Sequence, residues 1–188
     1  MAIQLQKGGR INLAKEAPSL RKIGVGLSWD TNHYTGGAFD LDTSAFMLVE
    51  SGKIPADEYF IFYNNLHSPD GALAHQGDNR TGVGQGDDET LTLDLDKISK
   101  GIVDVLFVVT IHEADIRRQN FGQVRNAYIR IYNVENNAEI AKYDLDEDFS
   151  TETSVEFGRL YLKDGDWRFM AVGQGFASGL QGFVDKYA

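Results

Sequence analysis

Carboxylates crowd one stretch of this chain. Between residues 70 and 96 stand seven acids (Asp70, Asp78, Asp87, Asp88, Glu89, Asp94 and Asp96) against one base, Arg80. Gly71, Gly77, Gly82, Gly84 and Gly86 run through the same stretch, so its backbone can take positive φ angles and turn carbonyls inward. Acid plus glycine in one long loop suits a hard cation. Two further groups could join it. In Phe39-Asp40-Leu41-Asp42 both carboxylates project from one face of an extended strand, and Ser28-Trp29-Asp30 puts a third at the end of another. If those tips and the 78–89 loop share one end of the domain, Asp30, Asp40, Asp42, Asp78, Asp87, Asp88 and Glu89 converge, with Asn79 and loop carbonyls to help.

Two carboxylates about 4 Å apart repel by roughly 4 kcal/mol at the effective dielectric of a protein surface. Such a cluster therefore needs protons or cations. Ca2+ takes about 6–8 oxygen ligands in a flexible geometry, so this set would furnish one ion generously or two sparingly; Mg2+ prefers a stricter octahedron and keeps its waters. The loop is not an EF-hand, because Arg80 occupies the third place after Asp78 and the flanks read as strands. The plainer alternative is a solvated acidic loop.

Composition narrows the field. Across 188 residues, 28 acidic and 18 basic side chains give a net charge of −10, which argues against a nucleic-acid partner. Cysteine is absent, excluding disulfides, thiolate metal sites and a cysteine nucleophile. No apolar run reaches the roughly 18 residues of a membrane helix, and residues 1–18 lack the apolar core of a secretory signal, so a cytoplasmic location is expected.

The apolar spacing is that of strands. Leu91, Leu93 and Leu95 alternate with Thr90, Thr92 and Asp94, and 128–134 repeats the pattern. Segments 59–63 and 102–111 are continuous apolar or aromatic runs suited to strands covered on both sides. Adding 3–6, 10–13, 23–29, 39–49, 139–145, 154–163 and 166–173 gives an all-β, two-sheet β-sandwich of about ten strands in one domain, 1–188. Residues 114–123 suggest a short helical turn or two. Ser178 caps a closing helix with Leu180, Phe183, Val184 and Tyr187 on one face.

Several motifs in fixed order carry a resemblance: Gly26-Leu27-Ser28-Trp29-Asp30, Phe39-Asp40-Leu41-Asp42, Ser68-Pro69-Asp70-Gly71, Gly77-Asp78-Asn79-Arg80-Thr81-Gly82, Gly86-Asp87-Asp88-Glu89 and Ala171-Val172-Gly173-Gln174-Gly175. Together they resemble the TerD family of bacterial tellurium-resistance and stress proteins, from Gln6-Lys7-Gly8-Gly9 to the end of the chain. Ser28 departs from the glycine often found before the Trp-Asp pair. The resemblance implies a calcium-binding β-sandwich whose ligands would be Asp30, Asp40, Asp42, Asp78, Asn79, Asp87, Asp88 and Glu89. It also implies partners among other stress or tellurite-resistance proteins, including membrane-associated ones.

The remaining constellations read as ordinary structure. His33, His67, His75 and His112 are scattered, and His75 is expected as a solvated loop histidine. His112-Glu113 lacks the second histidine of a zincin, since Ile116 stands there. Gly173-Gln174-Gly175 misses the dinucleotide fingerprint and reads as a strand-to-helix turn. Asp144, Asp146, Glu147 and Asp148 read as a solvated turn, and Phe60, Phe62, Tyr63 and Trp167 as core.

Three functions follow. The first is a calcium-binding stress protein without catalytic residues. The second is a metal-dependent phosphoesterase using Asp87, Asp88 and Glu89 with His75 as acid or base. The third is an adaptor bridged by calcium to lipid phosphates at the inner membrane.

Overall fold

The computed structural model describes residues 1–30, 39–77, 86–147 and 149–188. Among these residues, twelve strands form two six-stranded sheets: β1 (Ile3–Leu5), β2 (Arg10–Asn12), β3 (Lys22–Asp30), β4 (Leu41–Val49), β5 (Phe60–Ile61), β6 (Leu73–His75), β7 (Glu89–Asp94), β8 (Ile102–Ile111), β9 (Arg125–Asn133), β10 (Glu139–Asp144), β11 (Ser154–Lys163) and β12 (Asp166–Phe176). One sheet has the order β1-β10-β9-β3-β7-β6 and the other β2-β12-β11-β8-β4-β5. The pairing of β1 with β10 is parallel, while the central pairings β3 with β9 and β4 with β8 are antiparallel.

The core lies between the sheets, and strand alternation fills it. Val25 and Leu27 of β3, Leu91 and Leu93 of β7, and Ile129 and Ile131 of β9 meet Ala45 and Met47 of β4 and Val105, Phe107 and Val109 of β8. Each fully buried Leu, Ile or Phe contributes about 1.5–3 kcal/mol. β8 is covered on both faces, as its continuous apolar run requires: Leu106 and Val108 lie outside the sandwich, under Phe183 and Tyr187 of the closing helix. That helix, α3 (Gly179–Tyr187), follows α1 (Leu13–Glu16) and α2 (Ala114–Arg117). Phe46 of β4 stacks on Phe60 of β5 at 4.5 Å and touches Tyr187 at 5.4 Å, so an aromatic ladder ties α3 to the sheet.

Some local expectations change. The 59–63 run yields only the two-residue β5, because Asp57–Tyr59 forms a 3-10 turn; Tyr63 emerges 40% exposed rather than in the core. Residues 114–123 split into α2 and a 3-10 turn at Phe121–Gln123. β12 continues through Gly173-Gln174-Gly175 to Phe176, so this segment is strand and not a turn. Gly173, at φ 65°, leaves the room taken by the Tyr143 hydroxyl, which would lie 2.0 Å from a Cβ there.

Candidate metal centre

One end of the sandwich gathers the candidate acids that the structure describes. β3 runs towards Asp30 as β7 starts, with Glu89 opposite Leu27; in the other sheet β4 starts at Leu41 opposite Ile111, where β8 ends. The two edges belong to the same rim, because the Thr43 N–H of β4 donates to Glu89 Oε2 of β7 at 2.7 Å. Asp30, Asp40, Asp42, Asp87, Asp88 and Glu89 therefore all stand at this end. Asp78, Asn79, His33 and Asp148 lie outside the described residues.

Sharing a rim does not aim these side chains at one point. Asp87 lies on the outer face of its sheet over Gly26, where Arg130 donates from Nε and Nη2 to its two oxygens, each at 2.8 Å. Asp88 Oδ2 accepts from Ser28 Oγ at 2.8 Å and from the Trp29 N–H at 2.9 Å, pinning the start of β7 to the end of β3. Glu89 shares the inward phase of Leu91 and Leu93 and is buried. Asp42 alternates with Leu41 and Thr43, so it takes the outer phase of Ser44, Phe46 and Leu48. Its Oδ2 lies 3.5 Å from His112 Nδ1. Asp40 faces Arg117 at 4.0 Å, and Asp30 accepts from Asn126. Among the described residues, no three His, Asp or Glu side chains form a group able to hold a metal.

His75 is the residue that sequence reasoning misplaced. It is not a solvated loop histidine but the last residue of β6, 4% exposed. Its Nδ1 accepts from the Gly77 N–H at 3.1 Å, and its Nε2 faces the Thr43 carbonyl at 3.2 Å and Glu89 Oε2 at 3.7 Å. The only trace in the sequence is the inward phase shared by Leu73 and His75 around Ala74.

The donor set at this inner point is incomplete. Among the described residues, Glu89 Oε1 and Thr43 Oγ1 are buried without a hydrogen-bond partner. An orphaned buried oxygen costs about 1–3 kcal/mol, and more when charged. Burial pushes the Glu89 carboxyl above its usual range, and the nearby His75 ring and the hydrogen bond from the Thr43 N–H do not cancel that effect. The carboxylate thus lacks positive charge on one side, which fits a cation. Asp87 does not fit one, since Arg130 already occupies both of its oxygens.

The outer acids resolve similarly. Asp144 pairs with Lys142 at 3.0 Å, and Glu147 with Lys7 at 3.5 Å. No helix among the described residues is long and apolar enough to cross a membrane.

A family model for the TerD domain matches residues 1–187. The chain belongs to the TerD family. It is 52% identical over 187 residues to tellurium resistance protein TerD of Serratia marcescens, covering 100% of this chain and 97% of that one. General stress protein 16U of Bacillus subtilis (strain 168) is 48% identical over 188 residues, covering 100% and 97%. The TerD fold is also that of the crystal structure of a homologue of telluride resistance protein (TerD) from Streptomyces coelicolor A3(2), with TM-score 0.71 and 25% identity over 88% of this chain and 95% of that one. These relatives are named for resistance or stress rather than for an enzymatic reaction.

Proposed function

We propose that this TerD-family chain is a non-catalytic stress-response protein that binds one or two Ca2+ ions at the acidic rim. It would act in the cytoplasm in resistance to tellurite or related stress, alongside other resistance proteins. The observation that carries the reading is the buried Glu89 Oε1, without a hydrogen-bond partner among the described residues, at the end where the acidic segments meet. Glu89 is the inner ligand in this reading. Asp30, Asp40, Asp42, Asp78, Asn79 and Asp88 remain the implied outer donors, and Asp87 is assigned to Arg130 instead.

The same geometry disfavours a phosphoesterase. That mechanism needs His75 to exchange protons with a substrate, whereas its ring is buried with both nitrogens facing partners. It also needs Asp87 on the metal, against the paired contact with Arg130.

The test is a thermal melt of chelator-stripped protein with and without Ca2+. Binding to the folded form alone adds about 2.7 kcal/mol at a hundredfold excess over Kd. For a domain of this size that raises the melting temperature by roughly 5–10 °C. Glu89→Gln should melt near the parent temperature in chelator yet show no rise with calcium. Asp87→Asn should melt lower in both buffers and keep the rise. A parent melt indifferent to calcium overturns the reading.

A further inference from the structure

On the outer face of the β4–β8 sheet, a cleft of about 380 Å³ opens between the start of α3 and the turn after β8. Its apolar walls include Tyr63, Ile116 and Leu180, and its carboxylates are Asp42, Glu113 and Asp115. Ile116 is 79% exposed and Tyr63 40%. A single exposed isoleucine is ordinary. Three large apolar groups converging on one concavity with three carboxylates are not explained by solvation or by core packing.

The charge here is mostly negative; the cleft's one basic lining group among the described residues, His112, lies 3.5 Å from Asp42 and 3.8 Å from Glu113, which leaves Asp115 as the carboxylate turned to an incoming cation. Among the described residues, no Lys or Arg lines the cleft. Arg117, next to Ile116 in sequence, reaches instead towards Glu113 at 3.6 Å and Asp40 at 4.0 Å. Two left-handed residues, Glu113 at φ 51° and Arg118 at φ 53°, bracket α2, the turn that carries the exposed Ile116. Neither is glycine or asparagine, so the backbone keeps this turn against its local preference.

We propose that this cleft docks a segment of a partner protein that carries a Lys or Arg beside a large apolar side chain. The apolar group would seat among Tyr63, Ile116 and Leu180, and the cation would face Asp115. The volume lies within the roughly 300–1,000 Å³ of ligand-sized pockets, enough for a short segment but not for a folded element. A second copy of this chain is the poorer occupant, because each copy carries a net charge of −10 and the two repel. The inference goes beyond the calcium reading: Ile116 and Asp115, which carry the test, are outside the implied ligand set.

Phage-displayed random dodecapeptides selected on the intact chain test this, with selected peptides resynthesised and titrated by fluorescence anisotropy. The expected winners pair Lys or Arg with a neighbouring Leu, Ile, Phe or Trp. They should lose at least about tenfold in affinity for Ile116→Ser and for Asp115→Asn. Leu162→Ser, at another exposed apolar position, should leave binding unchanged. All three positions are on the surface, and an unaltered melt of each variant shows that it folds. The proposal is overturned if nothing is enriched, if the enriched peptides are acidic or lack the basic-apolar pairing, or if both cleft variants bind as the parent does. A dimer in sedimentation that Ile116→Ser abolishes would overturn it in favour of self-association.

Discussion

Thr43 and Glu89 join the two sheets through one hydrogen bond, backbone N–H to carboxylate, at 2.7 Å. β4 runs past the end of the two-residue β5, which pairs only with Ala45 and Phe46, so among the described residues the Thr43 backbone groups on that side have no strand to meet. Side chains from the opposite sheet replace the missing strand: Glu89 takes the N–H, and His75 faces the carbonyl.

Replacing Glu89 with alanine should therefore cost more than replacing it with glutamine. Alanine leaves the buried Thr43 N–H unsatisfied, a loss of about 1–3 kcal/mol. Glutamine keeps an acceptor and removes a buried charge, so its change should stay within about 1 kcal/mol. Urea unfolding in chelator compares the two; equal losses would show that the bond contributes little.

His75 invites a paired substitution. Because Nδ1 accepts from the Gly77 N–H, the neutral ring carries its proton on Nε2 and donates to the Thr43 carbonyl. Asparagine mimics the Nδ1 position and glutamine the Nε2 position. The Thr43 contact is the more buried of the two, so His75→Gln should unfold at higher urea than His75→Asn, by about 1 kcal/mol. The reverse order would place the important contact at Gly77.

Gly26 should tolerate no side chain while Asp87 is present. A Cβ there would lie 2.1 Å from Asp87 Oδ2 and 2.3 Å from its Cγ, and Arg130 keeps the carboxylate from moving aside. Gly26→Ala is expected to lose about 1–3 kcal/mol as overpacking. Asp87→Ala should recover at least about 1 kcal/mol of that in a double-mutant cycle. Simple additivity would contradict the proposed clash.

Asp70 sets an acid limit. Burial raises its carboxyl, but hydrogen bonds from Ser68 Oγ and from the N–H groups of Ala72 and Ser99 outweigh that and hold it below the ordinary 3.8. A group lowered in the folded state adds stability above its unfolded value and loses it as pH falls through the folded one. The stability gap between parent and Asp70→Asn should thus be full above pH 3.8 and close as pH drops below it, followed by thermal melts across that range. A gap that widens on acidification would refute the assignment.

Periodicity in the chain carried most of the fold. The Leu91–Leu93 alternation and the 102–111 run correspond to β7 and β8. The Leu180, Phe183, Val184 and Tyr187 spacing corresponds to α3, which buries Phe183 and Tyr187. β6 escaped because three residues between Gly71 and Gly77 show too little period. The acids were harder for a different reason. Spacing indicates which end of a strand a residue occupies, but Asp87, Asp88 and Glu89 are consecutive and meet Arg130, Ser28 and Thr43 respectively. Those partners lie 43 or more residues away, and nothing local in the sequence links them.

The first dozen residues supply an outer strand to each sheet, β1 beside β10 and β2 beside β12. Their partners are made long after them. While the chain is being made, β1 must wait for residues 141–143 and β2 for residues 168–170, so neither sheet can reach its full width before those residues have emerged. The native state is thus closed by segments far apart along the polypeptide, and a nascent chain stalled before β12 would leave β2 without its partner and the border of β11 open to whatever chaperone is near.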